Sequence, residues 1–389
     1  MKKILVISSG LLPIPACEGG AVENLTENML KYNENHKDIQ FVVYSKMPKK
    51  KIDISNWKYT EFRFICQNIV LKKLFGFLSK ISKKKIPNYF VSYILKDLKK
   101  RNENYDYVLI ENMPLFVIYF KKIFANRIIL HVHNDWLNIN SPYATDIVNS
   151  CYKIIAVSNY VKNRVLEINA NADVVTLING IDNNRFRKIL DKEINDNTRK
   201  QYGIMKNEIV FLYTGKLKPE KGAYEVIKAF SILTSSIRNI KLIMVGSSFN
   251  KFDNDTKYIT KIKEIAEINK NIIFTGFVDY EHIHKIYSIA DIQIVPSQCE
   301  DSCPLVVLEG LASGLALITS ISGGIPELVN SKCSIQISRG KNFIVDLVDS
   351  MKKIISDDKW MESMKKESLK KSKEFTNDNF CSKFIEILK

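Results

Sequence analysis

Short apolar runs and longer amphipathic stretches alternate along the chain almost from end to end. Apolar runs bounded by polar turns read as buried strands, and apolar repeats at i, i+3 and i+4 read as helices. In the first half this pattern predicts strands at Ile4–Ile7, Ile39–Tyr44, Tyr107–Ile110, Ile128–Val132, Ile154–Val157 and Val174–Leu177. Helices are expected over Ala21–Lys31, Leu115–Phe124 and Asn159–Glu167. A polar stretch from Asp182 to Asn207, with few aliphatics in phase, reads as a linker. The pattern then restarts with strands at Ile209–Tyr213, Lys241–Val245, Ile272–Phe274, Ile292–Val295 and Ala316–Thr319. Helices over Tyr224–Leu233, Lys257–Ala266, Glu281–Ile289 and Leu305–Ser313 separate them, and Phe343–Lys389 reads as wholly helical. Such alternation predicts two doubly wound α/β domains of parallel sheet, with ligand sites at the carboxyl ends of strands across a shared cleft. The expected limits are 1–182, a linker 183–207, 208–360, and a tail 361–389 packing back on the first domain.

Length and charge sharpen this picture. A chain of 389 residues has room for two cores. Its 58 basic against 42 acidic residues give a net charge of +16, which favours an anionic partner: nucleotide, lipid headgroup or nucleic acid. Seven scattered cysteines, an odd number, argue against a disulfide framework and for a reducing, cytoplasmic setting. Cys299 and Cys303 are four apart, but no second Cys/His pair at zinc spacing accompanies them. The start, MKKILVISSGLLPIPAC, imitates an export signal, yet Ser8, Ser9 and Gly10 interrupt its apolar core, and a first buried strand explains it better. No run reaches the roughly 18 apolar residues of a membrane span.

The segment Ile294–Glu309, IVPSQCEDSCPLVVLE, carries the most chemistry. A strand breaks at Pro296–Ser297, and Pro304 opens a helix, a position where its missing N–H costs nothing. Asp301 and Glu309 then lie across a loop-to-helix junction, beside free backbone N–H groups and a positive dipole end. That combination suits a ligand with a phosphate at one end and hydroxyls at the other, as in a sugar nucleotide. Gly19 and Gly20 follow the first strand and open a helix, so backbone can approach a ligand there. Neither a G-x-G-x-x-G nor a phosphate-binding G-x-x-x-x-G-K-[ST] motif is present. Gly215-Lys216 ends a strand and Lys221-Gly222 opens the next helix, so the two lysines can converge on a diphosphate. His131 and His133 share one face at a strand end. An H-x-H pair can be half of a metal site, but the sequence offers no evident third ligand, which favours a single histidine near a reacting centre.

The ordered motifs GG, HND, NGID (Asn179–Asp182), GKLKPEKG (Gly215–Gly222) and PSQCEDSCPLVVLEGLASGLALITSISGGIPELV (Pro296–Val329) resemble the family 4 glycosyltransferases. That resemblance implies retaining enzymes of GT-B architecture, with two Rossmann-like domains. It implies that Gly19, Gly20 and Gly215 approach the donor, that His133 lies near the donor sugar, and that Lys216 and Lys221 bind the diphosphate. It further implies that Asp301 faces the sugar, that Glu309 holds the ribose hydroxyls, and that Ser302, Cys303, Leu305 and Val306 complete the donor loop, with Gly323 and Gly324 in a glycine-rich turn. The catalytic set would be His133, Lys216, Lys221 and Asp301, with no metal and no cofactor beyond the nucleotide-sugar donor. Three positions depart from the family pattern. Asp301 stands for the usual Glu, with Glu300 beside it as a competitor; Lys216 stands for a common Arg; Pro304 stands for a frequent Gly.

Leu71–Arg101 holds ten Lys/Arg against one acid, interleaved with aromatic and aliphatic residues. An interfacial segment needs that mixture, so Lys72, Lys73, Lys80, Lys83, Lys84 and Lys85 are candidate contacts to an anionic membrane. A helical pair packed on the sheet with a solvated basic face is the plainer reading. Nucleic acid is disfavoured as a partner, because no RRM, KH, zinc-finger or helix-turn-helix signature is present. The expectation is a peripheral enzyme at the inner face of the plasma membrane. It would move a hexose from a nucleotide sugar, UDP-linked, onto a lipid-linked or polysaccharide acceptor. The alternatives are a sugar-nucleotide epimerase of the same fold and a non-catalytic polyanion-binding protein.

Overall fold

The computed structural model describes residues 1–66, 69–82, 86–187, 192–246 and 256–389. Its first sheet comprises β1 (Lys2–Ile7), β2 (Ile39–Lys46), β3 (Thr60–Ile65), β4 (Tyr107–Glu111), β5 (Ile128–Val132), β6 (Lys153–Ala156) and β7 (Val174–Thr176). Their order is β3-β2-β1-β4-β5-β6-β7, with every pairing parallel. The second sheet comprises β8 (Ile209–Thr214), β9 (Ile240–Val245), β10 (Ile272–Gly276), β11 (Ile292–Val295), β12 (Ala316–Ser320) and β13 (Ser334–Ile337). It runs β10-β9-β8-β11-β12-β13 and is also wholly parallel. Strand order therefore reverses twice, between β1 and β4 and between β8 and β11. Loops diverge at such switch points and open a crevice at the carboxyl ends of the strands. This is the doubly wound, two-domain α/β fold that the alternation predicts, with a helical C-terminal segment.

Met1–Gly180 and Asn377–Lys389 form one compact unit, and Ile181–Thr376 forms the other. The second unit's core gathers Phe211, Phe230, Leu242, Ile292, Ile318 and Leu347 from strands and flanking helices. In the first unit the helix Asn377–Leu388 buries Phe380, Phe384, Ile385 and Leu388 against Ile4, Val6, Leu25 and Met29. Among the described residues, no helix is long and apolar enough to cross a membrane.

The structure differs from the sequence reading at several places, among them the tail, of which only Asn377–Lys389 joins the first unit. Strand β3 is absent from the sequence reading because it alternates polar and apolar residues over Glu61–Phe64, the pattern of a half-exposed strand, and lacks the continuous apolar run that marks the buried strands. Arg63 is buried at this edge strand, where its guanidinium bonds Glu61, Glu103 and the hydroxyls of Tyr44 and Tyr105. The four-residue edge strand β13 was likewise missed. The expected linker 183–207 instead carries the helices Asn183–Phe186 and Lys192–Gln201 and belongs to the second unit. Its polar residues make backbone bonds there: Arg199 donates to the carbonyls of Met205, Glu208 and Ile289.

Candidate functional site

At the β8/β11 switch point, two loops meet. Strand β8 ends at Thr214, and the chain passes through Gly215 and an exposed Lys216 to a short turn, Pro219–Lys221. Gly222 then enters the helix Ala223–Leu233 at φ +71°, and a Cβ there would lie 2.1 Å from the carbonyl oxygen of Pro296. Only glycine allows this approach. It seats the turn against the loop after β11, where Gln298 N–H also donates to Glu220 O at 2.9 Å. Lys221 Nζ consequently lies 2.5 Å from Asp301 Oδ1, and Ser297 Oγ donates to the other oxygen of Asp301.

The two adjacent acids are sorted by their partners. Glu300 pairs with Arg339 and accepts the Gly323 N–H, whereas Asp301 takes Lys221. The backbone of Asp301 is pinned as well, by Ser322 Oγ on its N–H and Gly324 N–H on its carbonyl. Ser302 and Cys303 are buried, and Pro304 caps the helix Leu305–Ala312. The first-turn N–H groups of Leu305 and Val306 have no carbonyl within that helix to bond, which leaves a positive end beside Asp301.

Glu309 sits in a different environment from the one its sequence suggests. It occupies the second turn of the helix and is buried, and its Oε2 accepts the Tyr287 hydroxyl at 2.7 Å. Burial raises its carboxyl to about 7 against the lowering effect of Tyr287. Desolvation thus outweighs the support that a helix dipole gives a carboxylate. Tyr287 continues the network to Thr214 Oγ1 at 2.8 Å, and Gln293 Nε2 reaches Thr214, Tyr287 and the Val306 carbonyl. Sequence reasoning missed all three partners. Only Gln293 left a signal, as a lone amide inside the buried strand IQIV.

The β1/β4 switch point of the first unit holds Gly19, Gly20 and the histidines. Gly20, at φ +104°, opens the helix Ala21–His36. A Cβ on it would meet Glu23 Oε2 at 2.2 Å, so its bareness makes room for a side chain of its own helix. Glu23 is buried, accepts Ser9 Oγ at 3.0 Å, and is raised by burial and by the charge of Glu111. Parallel pairing sets Glu111 opposite His131. Glu111 Oε2 lies 3.0 Å from His131 Nδ1 and 3.3 Å from His133 Nε2, and the two nitrogens are 3.1 Å apart. Burial alone would raise the Glu111 carboxyl, but the two histidines outweigh it and hold it well below the usual range. Burial, and then the charge of His131, push His133 down to about 4 against the pull of Glu111. The third member that the H-x-H pair lacked in sequence is thus an acid, Glu111, a lone carboxylate closing the apolar strand YVLIE.

The basic segment divides into two unlike helices. Tyr89–Arg101 buries Phe90, Val91, Ile94 and Leu98, which is ordinary packing. Ile69–Ile81 buries no residue and presents Val70, Leu74, Phe77 and Ile81 on one face at 73, 50, 62 and 66% exposure. Lys72, Lys73 and Lys80 are exposed on the same helix. Lys83, Lys84 and Lys85 lie outside the described residues.

Comparison with known proteins bears on this geometry. Residues 194–371, most of the second unit, match the family model of the glycosyl transferases group 1. The chain is 23% identical over 380 residues to YtcC of Bacillus subtilis, named as a candidate glycosyltransferase, covering 95% of this chain and 87% of that one. It is 31% identical over 205 residues to the lipopolysaccharide 1,2-N-acetylglucosaminetransferase of Salmonella typhimurium, about half of each chain (52% and 51%). Among solved structures, Anabaena Alr3699/HepE in complex with UDP and glucose superposes with a TM-score of 0.76 at 17% identity, covering 100% of this chain and 99% of that one. Together these likenesses support a glycosyltransferase of GT-B fold whose second unit carries the group 1 match.

Proposed function

We propose that the chain transfers a hexose from a UDP sugar, with retention, onto a lipid-linked or cell-surface glycan. The observation that carries this reading is the convergence at the β8/β11 switch point of Lys221, Asp301 and a helix N-terminus, with Glu309 one turn further on. In this reading Lys221 and Lys216 take the diphosphate as it leaves, assisted by the positive end of the helix Leu305–Ala312. A fixed cation and dipole that meet developing charge lower the barrier without reorganising. Asp301 faces the sugar and steers Lys221. Glu309, in its ionised form, accepts the ribose hydroxyls, and Tyr287 holds it in place. The chemistry at the diphosphate needs no metal on this account.

The acceptor side belongs to the first unit. An apolar cavity of about 300 Å³ lined by Met113, Pro114, Leu115, Trp136 and Leu137 borders Asn112, whose Oδ1 accepts the His133 N–H at 3.0 Å. The exposed apolar face of Ile69–Ile81, flanked by Lys72, Lys73 and Lys80, supports attachment to an anionic bilayer at the cytoplasmic surface, where a lipid-linked acceptor resides. The test is incubation of the purified chain with a panel of UDP-, GDP- and ADP-sugars and lipid extract containing glycan acceptors. The anomeric configuration of the product is then read by NMR. A UDP sugar is expected to be consumed with glycan extended and its anomeric configuration kept. Inversion, or conversion of donor to an epimer without acceptor, overturns the proposal.

A further inference from the structure

We propose that Glu111, His131 and His133 form a binding site for a divalent transition-metal ion of the zinc class. Among the described residues, theirs is the one group of His, Cys, Asp and Glu side chains close enough to share an ion. The placement follows from the sheet. Glu111 and His131 are Cα partners on adjacent parallel strands, and His133 lies two residues on, so all three can reach one point on one face.

The distances fit an ion. Ligands about 2.0–2.1 Å from a tetrahedral zinc lie roughly 3.3 Å from one another. The three donor atoms here are 3.0, 3.1 and 3.3 Å apart, so one cation can sit at bonding distance from all of them. Two imidazole nitrogens and one carboxylate oxygen are a donor set that zinc accepts, with a fourth position left for water or a ligand oxygen.

Hydrogen bonding alone serves this cluster poorly. A neutral imidazole owns a single N–H. If both rings donate to Glu111, two N–H groups face each other across 3.1 Å. Glu111 Oε1 and His131 Nε2 are moreover buried with no hydrogen-bond partner. A carboxylate shut away from water with one oxygen unmatched is costly, and a bound cation balances it. The frame is set in advance: Asn112, at φ +51°, receives the His133 N–H on its side chain and donates its own N–H to the His131 carbonyl. The edge of Phe384 packs on the His131 ring at 4.9 Å between centroids. Preset rings lose little freedom on binding.

Metal binding at this cluster can be measured without a sugar donor. Full-length protein without a polyhistidine tag is stripped with EDTA and titrated with Zn²⁺ in competition with a chromophoric chelator, then loaded with Co²⁺ for absorption spectroscopy. One Zn²⁺ per chain is expected. Glu111→Gln and His131→Asn should weaken it by more than the roughly 10- to 100-fold that follows loss of an outer-sphere partner. The Co²⁺ form of the wild type should show the d–d bands of a four- or five-coordinate site without a thiolate charge-transfer band. This spectrum decides the matter even if the variants fail to fold. Absence of bound Zn²⁺, retention of Zn²⁺ by both variants, or a thiolate band pointing to the chain's free cysteines overturns the proposal.

Discussion

Lys221 Nζ reaches Asp301 Oδ1 at 2.5 Å although 80 residues separate them, because the turn after β8 and the loop after β11 meet at one switch point. The pair holds a flexible cation at a fixed place beside a helix N-terminus. Lys221→Ala should therefore fall mainly on kcat, by roughly 100-fold or more, with KM for the donor little changed. Lys216→Ala, on an exposed residue of the same loop, should cost less. Steady-state release of nucleotide diphosphate measures both, and a Lys221→Ala rate close to wild type would remove this lysine from the site.

Glu309 links the site to pH. Its carboxyl rises from an ordinary 4.5 to about 7 in the folded chain. Between those values the native state holds a proton that the unfolded state has lost, so stability is full below about 4.5 and declines as pH rises through 7. At about 1.4 kcal/mol per unit, the loss is on the order of 3 kcal/mol. Glu309→Gln, which cannot titrate, should flatten this slope. Urea midpoints at pH 5 and pH 8 test it, and an equal slope in both proteins would refute the buried-carboxyl assignment.

How much of this was legible in the chain follows a physical line. Strands buried on both faces, such as β1, β5 and β11, announce themselves as apolar runs. The edge strand β3 does not, because its buried Arg63 makes sense only with Glu103, Tyr44 and Tyr105 around it. Within the candidate site, spacing drew attention to Lys221, Asp301 and Glu309, and the structure pairs the first two. Tyr287 and Thr214 were not legible, because the Tyr287 hydroxyl meets Glu309, and Thr214 meets Tyr287, only through tertiary packing. Glu111 shows the same limit: its meaning depends on strand order, which puts β4 beside β5.

The helix Ile69–Ile81 should bring the chain to anionic liposomes. Replacing Lys72, Lys73 and Lys80 by Glu should weaken sedimentation by about 100-fold, at about 1 kcal/mol per basic residue, without changing nucleotide binding. Phe77→Asp should act through the apolar term instead and be less sensitive to salt. Unchanged sedimentation of both variants would exclude this helix as the contact.

Gly222→Ala places a methyl group 2.1 Å from the Pro296 carbonyl at a backbone angle of +71°. The two loops must then part, at a cost of about 1–3 kcal/mol. A lowered thermal midpoint should accompany a drop in kcat, because Lys221 moves away from Asp301. A midpoint loss with kcat intact would show that the seating of this turn does not serve the reaction.

If the second unit binds the nucleotide of a sugar donor with Glu309 on its ribose, calorimetric titration of UDP reads it out. The wild type should bind one UDP per chain, more tightly as pH rises through 7 and Glu309 ionises. Glu309→Gln should bind UDP about 10- to 150-fold more weakly, the loss of charge-assisted bonds worth roughly 1.5–3 kcal/mol. Equal affinity of the two proteins for UDP at pH 8 would exclude Glu309 from the nucleotide site.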